Sequence, residues 1–424
     1  MSASIESYPT NFQVANQPLI YAVKDGSTVP DRFIIEVFED GVVAAISTLY
    51  LTPNDSNKVF FDLSEIVRNR VAVDYKNSSG SAILLKNTNP YSTAVAGCRK
   101  FTVKVGTYTG GVVTLNDDSD FTIIIGGAGQ ASEPNPRNIA SYYPISSNSK
   151  LWLTDRVPDS DNVIHYNFSD YSYASVAFIN DSVILPTLQT KVIYKLYNNT
   201  TQLGPDDIWT LDAAQGAQLP SDTDITQKLT YMGIGTRNVG HVPWASRPAA
   251  YSGWTHYEMY AADTGGNRLG STIRVHRICP LQNKHKNYML YWDNSLGGWD
   301  SLIFTGRAEQ TDMTSYKTYQ KQLGNFNGLT LSFDTLGRQT AAYQVTGKTS
   351  YKLMSLDFSF SDIELLKYAI RGKQLFLKDD GVILPTTADL MPVNMDTTSY
   401  NVKEAFSGTF TVSLTVTLAQ TIRC

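Results

Sequence analysis

Five histidines, three cysteines and several paired carboxylates are the residues of this 424-residue chain whose types could do chemistry. The histidines are His165, His241, His256, His276 and His285. None forms an HxH or HExxH pattern, and none stands at ligand spacing from a cysteine, so no metal ligands are assigned. His256 and His276 flank one predicted hairpin and can approach each other, which packed or surface histidines also do. The acidic pairs Asp117/Asp118, Asp159/Asp161, Asp206/Asp207, Asp222/Asp224 and Asp379/Asp380 offer carboxylates. Glycoside hydrolysis draws its two carboxylates from distant positions, roughly 5–9.5 Å apart in a cleft, whereas adjacent Asp residues are explained by Asx-turn hydrogen bonding. Gly126-Gly127-Ala128-Gly129 is followed by no Lys-Ser/Thr and no helix, so it is not a phosphate loop, and no G-x-S-x-G elbow occurs. Cys98, Cys279 and Cys424 lie far apart without a CxxC. That count fits reduced thiols, with one disulfide left open. These residues predict no catalytic set and no cofactor.

The composition bounds the scaffold. Charged residues are 17%, low for a protein with helical surfaces, while Tyr alone numbers 25. Sheets and turns use such a set, and an all-helical fold, a coiled coil and a disordered tail are disfavoured. With 35 basic and 39 acidic residues the net charge is −4, too little basic surplus for a dedicated nucleic-acid binder. No apolar run approaches the ~18 residues of a membrane span. The start, MSASIESYPTNF, carries no basic, apolar leader, so assembly in a cytoplasm is expected.

The predicted fold is mainly β, with tandem β-sandwich domains and a C-terminal β-rich domain containing one short capped helix. Residues 1–128 form the first sandwich, with strands at Gln17–Val23, Arg32–Phe38, Val42–Leu51, Lys58–Phe61, Phe101–Tyr108 and Phe121–Ile125. Asp40-Gly41 and Gly110-Gly111 mark hairpins, and Asp62 opens a short helix over Glu65–Arg70. Residues 129–138 are a Gly/Pro linker within GGAGQASEPNPRN. Residues 139–286 form a second sandwich-like domain, with strands at Leu151–Thr154, Ser175–Ile179, Lys191–Tyr197, Trp254–Ala261 and Ser271–Ile278, and a long loop over 199–250. Residues 287–424 form the last domain. Its helix, near 361–371, opens on the capping box Ser361/Glu364 and ends at Gly372.

Two features point to contacts with other molecules. In Thr409–Thr421 the residues Phe410, Val412, Leu414, Val416 and Leu418 alternate with Thr and Ser. Thirteen residues make about 43 Å of strand, which must lie inside a sheet or pair with a neighbour or another subunit. Trp209, Trp244 and Trp254 lie in or beside the Pro/Gly-rich middle stretch. Loop aromatics fold onto their own domain, anchor protein interfaces or stack on sugar rings, and the sequence leaves all three open.

The run ICPLQNKHKNYMLYWDNSLGGWDSLIF (Ile278–Phe304) resembles a segment of virion structural proteins of tailed bacteriophages, of the kind found in phages of Bacteroidetes. Trp292, Asn294, Gly297, Gly298, Trp299 and Asp300 carry the likeness. QPLIYAV, FIIEVFEDGVVAAI and FDLSEIVRNRV are similar to the first domain of that group, and SDIELLKYAIRGKQLFL to its late helix. The resemblance implies a subunit of the tail, baseplate or neck that acts as an assembly scaffold, with other virion proteins and symmetric copies of itself as partners, in the virion. A glycan-binding adhesion or head-decoration module is the alternative, and a glycan-cleaving enzyme a second. In the motif, Gly297-Gly298 permits a turn closed to β-carbons, Trp299 packs back and Asp300 bonds turn amides.

Overall fold

The computed structural model describes residues 3–9, 13–15, 18–25, 30–54, 56–76, 82–85, 91–93, 96–125, 152–179, 191–210, 229–239, 253–278, 285–320, 325–332, 340–381, 389–396, 403–404, 410–419 and 422–423. The linker at 129–138, Trp244, Cys279 and Cys424 lie outside them. The fold is mainly β, and the described residues form several largely antiparallel sheets and three short α-helices, with no closed barrel among them. No helix among the described residues is long and apolar enough to cross a membrane.

The first sandwich packs a three-stranded sheet (Ala3–Ser7, Ile20–Asp25, Lys58–Asp62) against a five-stranded one led by Arg32–Glu39, Cys98–Thr109 and Val112–Ile125. The period-2 set Phe101, Val103 and Val105 points into its core beside Phe33, Ile35 and Val37. Gly110 and Gly111, at φ +59° and +88°, close the expected hairpin between Thr109 and Val112. The Asp40-Gly41 hairpin is wider than predicted. Its second strand is Ser47–Leu51, and Val43 is 98% exposed in the connection, so the apolar run at 42–46 does not extend the strand. The short helix is Ser64–Arg68, with Asp62 accepting from the Ser64 amide.

The middle core lies between two sheets. One has the order Trp152–Leu153, Ser175–Ile179, Leu229–Gly233, Tyr91–Thr93. The other is built on Val163–Phe168, Arg268–Arg277, His256–Ala262 and Lys191–Asn198. Here the reading of 199–250 as one long loop is corrected. Leu229–Gly233 is a fully buried central strand, and Asp207–Thr210 pairs with Lys191–Asn198. LTYMG, with a Thr and a Gly among its five residues and Pro, Gly and Asp nearby in the sequence, carries no strong local strand signal, and its cross-strand partners stabilise it.

The third unit is a nine-stranded sheet covered by the helix Phe360–Arg371. Tyr288–Asp293 and Trp299–Phe304 are buried at every position. Tyr288, Leu290 and Trp292 face the helix-side core, while Met289 and Tyr291 face the middle core. A strand covered on both faces needs a continuous apolar run, and YMLYW supplies it. The middle cluster therefore takes residues from all three blocks, including Val73, Ile83 and Cys98 before residue 128 and Met289, Trp299 and Ile303 after residue 286.

The terminal strand is Phe410–Leu418, lying between Met391–Met395 and Thr340–Phe358. Val412, Leu414 and Val416 are wholly buried, and Phe410 and Leu418 pack on the same core. Their expected place in a subunit interface is corrected: the chain's own helix and sheet cover them. The helix cap also shifts. Ser359 accepts from the Asp362 amide and Asp362 accepts from the Ser359 amide, so the box is Ser359/Asp362, not Ser361/Glu364. Gly372 is the C-cap at φ −59°, where a β-carbon would come within 3.1 Å of Asp293 and Trp292.

Candidate functional site

The turn between Tyr288–Asp293 and Trp299–Phe304 is the point where the three blocks meet. Asn294 is fully buried. Its Oδ1 accepts from the Leu296 amide at 3.1 Å and the Gly298 amide at 2.8 Å, and its Nδ2 donates to the Leu153 carbonyl at 2.7 Å. Gly297 holds φ +92°, a backbone that favours glycine. A β-carbon on Gly298 would stand 2.4 Å from the Leu153 carbonyl oxygen, so this glycine is what lets the turn touch the middle sheet.

Two further residues of the motif reach outward. Trp299 donates from Nε1 to the Asp74 carbonyl at 2.7 Å, across to the first block. Asp300 accepts from Thr154 Oγ1 and from the Asp155 amide, the latter at 2.8 Å. Asp155 in turn accepts from the Ser295 amide at 2.9 Å, so two carboxylates lock the same pair of segments from opposite sides. The expectation that Asp300 bonds the turn amides is corrected: Asn294 takes those of Leu296 and Gly298, while Asp300 meets the Asn294 side chain and ties the turn to residues 154–155. Burial pushes the Asp300 carboxyl up, against the pull of those hydrogen bonds. Trp292 fills the helix-side core beneath the turn.

The joint extends through buried groups that the sequence did not single out. Arg156 pairs with Asp362 of the helix cap at 3.1 Å and donates to the carbonyls of His165 and Ser301. Its guanidinium lies 4.3 Å from the centre of the Tyr166 ring. Asp74 accepts from the amides of Ala96 and Gly97, and its own amide donates to Tyr231 Oη at 3.2 Å. Ser169 donates to Asp380. No local pattern marks Arg156 or Asp74, because both act on partners far away in sequence. Chemically the arrangement is a mechanical joint, with donors and acceptors engaged in holding segments in fixed orientation.

The histidines form a different group. His165 Nδ1 and His276 Nε2 are 2.9 Å apart, and His165 Nε2 meets Asp159 Oδ2 at 2.9 Å. His256 lies opposite His276 in the strand register and stacks on Tyr197. The approach of His256 and His276 is as expected. His165 joins them because Val163–Phe168 pairs in parallel with Arg268–Arg277. Burial lowers His276 to about 4, with His165, His256 and Arg274 adding repulsion. Among the described residues no group of three His, Cys, Asp or Glu side chains is placed to hold a metal ion.

The remaining candidates are placed as follows. Asp159 Oδ1 accepts from the amides of Asp161 and Val163, the turn role its sequence suggested. Trp209 lies opposite Val192, and its side chain is outside the described residues. Trp254 is half-buried against the middle core, with the Arg277 guanidinium 5.2 Å from its ring centre and Arg277 paired to Asp170. It packs on its own domain, the first of the three readings that its sequence left open.

No protein-family model matches this chain, and the search of curated proteins found no match. Among solved structures, "Crystal structure of CBD12 from CALX1.2" is 6% identical, with 66% of this chain and 100% of that chain covered, at a TM-score of 0.18. A marsupial T cell receptor is 9% identical, with 82% and 96% covered, at a TM-score of 0.19. Likeness at that level carries no argument about this molecule.

Proposed function

We propose that this chain is a structural subunit of a tailed-bacteriophage particle, in the tail, baseplate or neck, and works as an assembly scaffold through repeated subunit contacts. The observation that carries the reading is the joint at Asn294. Of the six residues that bear the phage resemblance, Asn294, Gly298, Trp299 and Asp300 meet residues of the other two blocks, and a scaffold needs its surfaces held at fixed angles. Its partners would be other virion proteins and symmetric copies of itself, with assembly in the host cytoplasm and residence in the virion.

The test uses the phage itself. Deleting the gene is expected to leave particles that stop at a tail or neck intermediate, and gold-labelled antibody is expected to mark one fixed position on intact particles. Complete, infectious particles without the protein would overturn the reading. Complete particles that fail only in attachment to host glycans would favour the adhesion module instead.

A further inference from the structure

The strand Glu309–Gln320 has twelve residues, and every one is exposed. It is the outer edge of the nine-stranded sheet. Its inner side pairs with Thr340–Phe358, and among the described residues no strand pairs with its outer side. Met313, Tyr316 and Tyr319 stand 50, 62 and 48% exposed along it. Edges of this length are normally blunted by Pro, by several Lys, or by a bulge that twists them away. EQTDMTSYKTYQ has no Pro and one Lys. The bulge in this pair falls on the other strand: Lys317 opposes Gln344 while Thr318 opposes Ala342, leaving Tyr343 as the extra residue. The outer edge therefore runs regular and open. Over residues 313–320 the edge is backed by Thr340–Phe358 alone, which Ile422–Arg423 flanks only at Thr346 and Gly347, and so thin a ribbon is marginal by itself.

We propose that this edge pairs antiparallel with the same edge of a second copy of this chain, on a two-fold axis through Tyr316. The symmetry restricts the register. A two-fold that relates antiparallel neighbours stands perpendicular to the sheet and preserves its faces, so some residue must oppose its own counterpart. With Tyr316 in that place, Met313 faces Tyr319 of the other copy, twice, and Thr314 faces Thr318, twice. Sulfur–aromatic, aromatic–aromatic and Thr–Thr pairs are the ones that stabilise neighbouring strands. Asp312 faces Gln320 and Ser315 faces Lys317, so no like charges meet. Centring on Ser315 instead would set Met313 against Lys317, and centring on Thr314 would set Asp312 against Tyr316. The chosen register joins residues 312–320 of each copy through about eight to ten main-chain hydrogen bonds, within the usual range of roughly ten in a stable interface. The result is one sheet running through both molecules.

The inference deepens the scaffold reading and rests on it for the identity of the partner. It is tested on the full chain with Cys279→Ser and Cys424→Ser as background. Light scattering after size-exclusion chromatography is expected to give a dimer or an even multiple of it. Tyr316→Cys in that background is expected to form a disulfide-linked dimer on mild oxidation. Thr311→Cys, whose two copies would stand about 34 Å apart along the strands, is expected to form none. Tyr316→Lys, at an exposed position, is expected to weaken the pairing at least tenfold with an unchanged circular dichroism spectrum. A monomer at all concentrations overturns the proposal, as does a dimer that Tyr316→Cys does not cross-link or Tyr316→Lys does not weaken. In either case a phage that still requires the gene for assembly leaves the scaffold reading standing.

Discussion

His276 is held among His165, His256 and Arg274 on the middle sheet, and burial with their repulsion lowers its imidazole to about 4. An unfolded histidine titrates near 6.5. Between those values the unfolded chain binds a proton that the folded chain does not. Stability therefore falls as pH drops from about 6.5 to 4, and the contribution is unchanged above 6.5. For this partly shielded ring the loss is on the order of 2 kcal/mol. Asp293 has the opposite sign. Burial raises its carboxyl to about 6, so the stability it contributes is complete below an ordinary Asp value and is lost as pH rises through 6. His276→Gln should remove only the first slope. Urea unfolding at pH 7 and 4.5 should find the variant losing about 2 kcal/mol less than wild type over that interval, and equal losses in the two proteins would contradict the assignment.

At the scale of the element, the helix Phe360–Arg371 shows how a local signal is read differently once packing is known. SFSDIE contains two overlapping boxes, Ser359/Asp362 and Ser361/Glu364. The first is used because Asp362 is buried and also meets Arg156, whereas Glu364 stays outside and pairs with Lys367. The two cap residues should therefore differ in cost. Ser359→Ala removes a capping bond worth about 1 kcal/mol. Asp362→Ala removes the reciprocal bond and strands the buried Arg156 charge, which costs about 3–5 kcal/mol. Chemical denaturation of both variants checks the ranking, and similar losses would mean that Arg156 finds another partner or water.

For the whole molecule, the predicted sandwiches are not separate bodies joined only by the linker. Tyr91–Thr93 pairs with Leu229–Gly233, Trp299 donates to Asp74, and Val73, Ile83 and Cys98 belong to the middle core. Cutting the chain between the blocks should leave them associated. With a specific protease site inserted at residue 130, both fragments should co-elute on size-exclusion chromatography after cleavage and separate only in denaturant. Two peaks in native buffer would show that the shared core does not hold them.

The sequence by itself determined what lies within reach of one segment. Alternation marked Phe101, Val103 and Val105 as inward, and likewise Val412, Leu414 and Val416, because a strand's side chains change face at every residue. Glycine pairs marked the turns, because positive φ excludes most other residues. Only the tertiary structure decided which segments share a core. Leu229–Gly233 gained a central place from neighbours fifty or more residues away. His165 joined the other histidines through a parallel pairing across some hundred residues, and Arg156 found its carboxylate 206 positions on. Glu309–Gln320 carries no alternation because neither face is buried, so nothing in its pattern announced a strand. Backbone preference and burial periodicity are local properties that a run of residues carries with it. Pairing energies between distant segments exist only after the chain has brought them together.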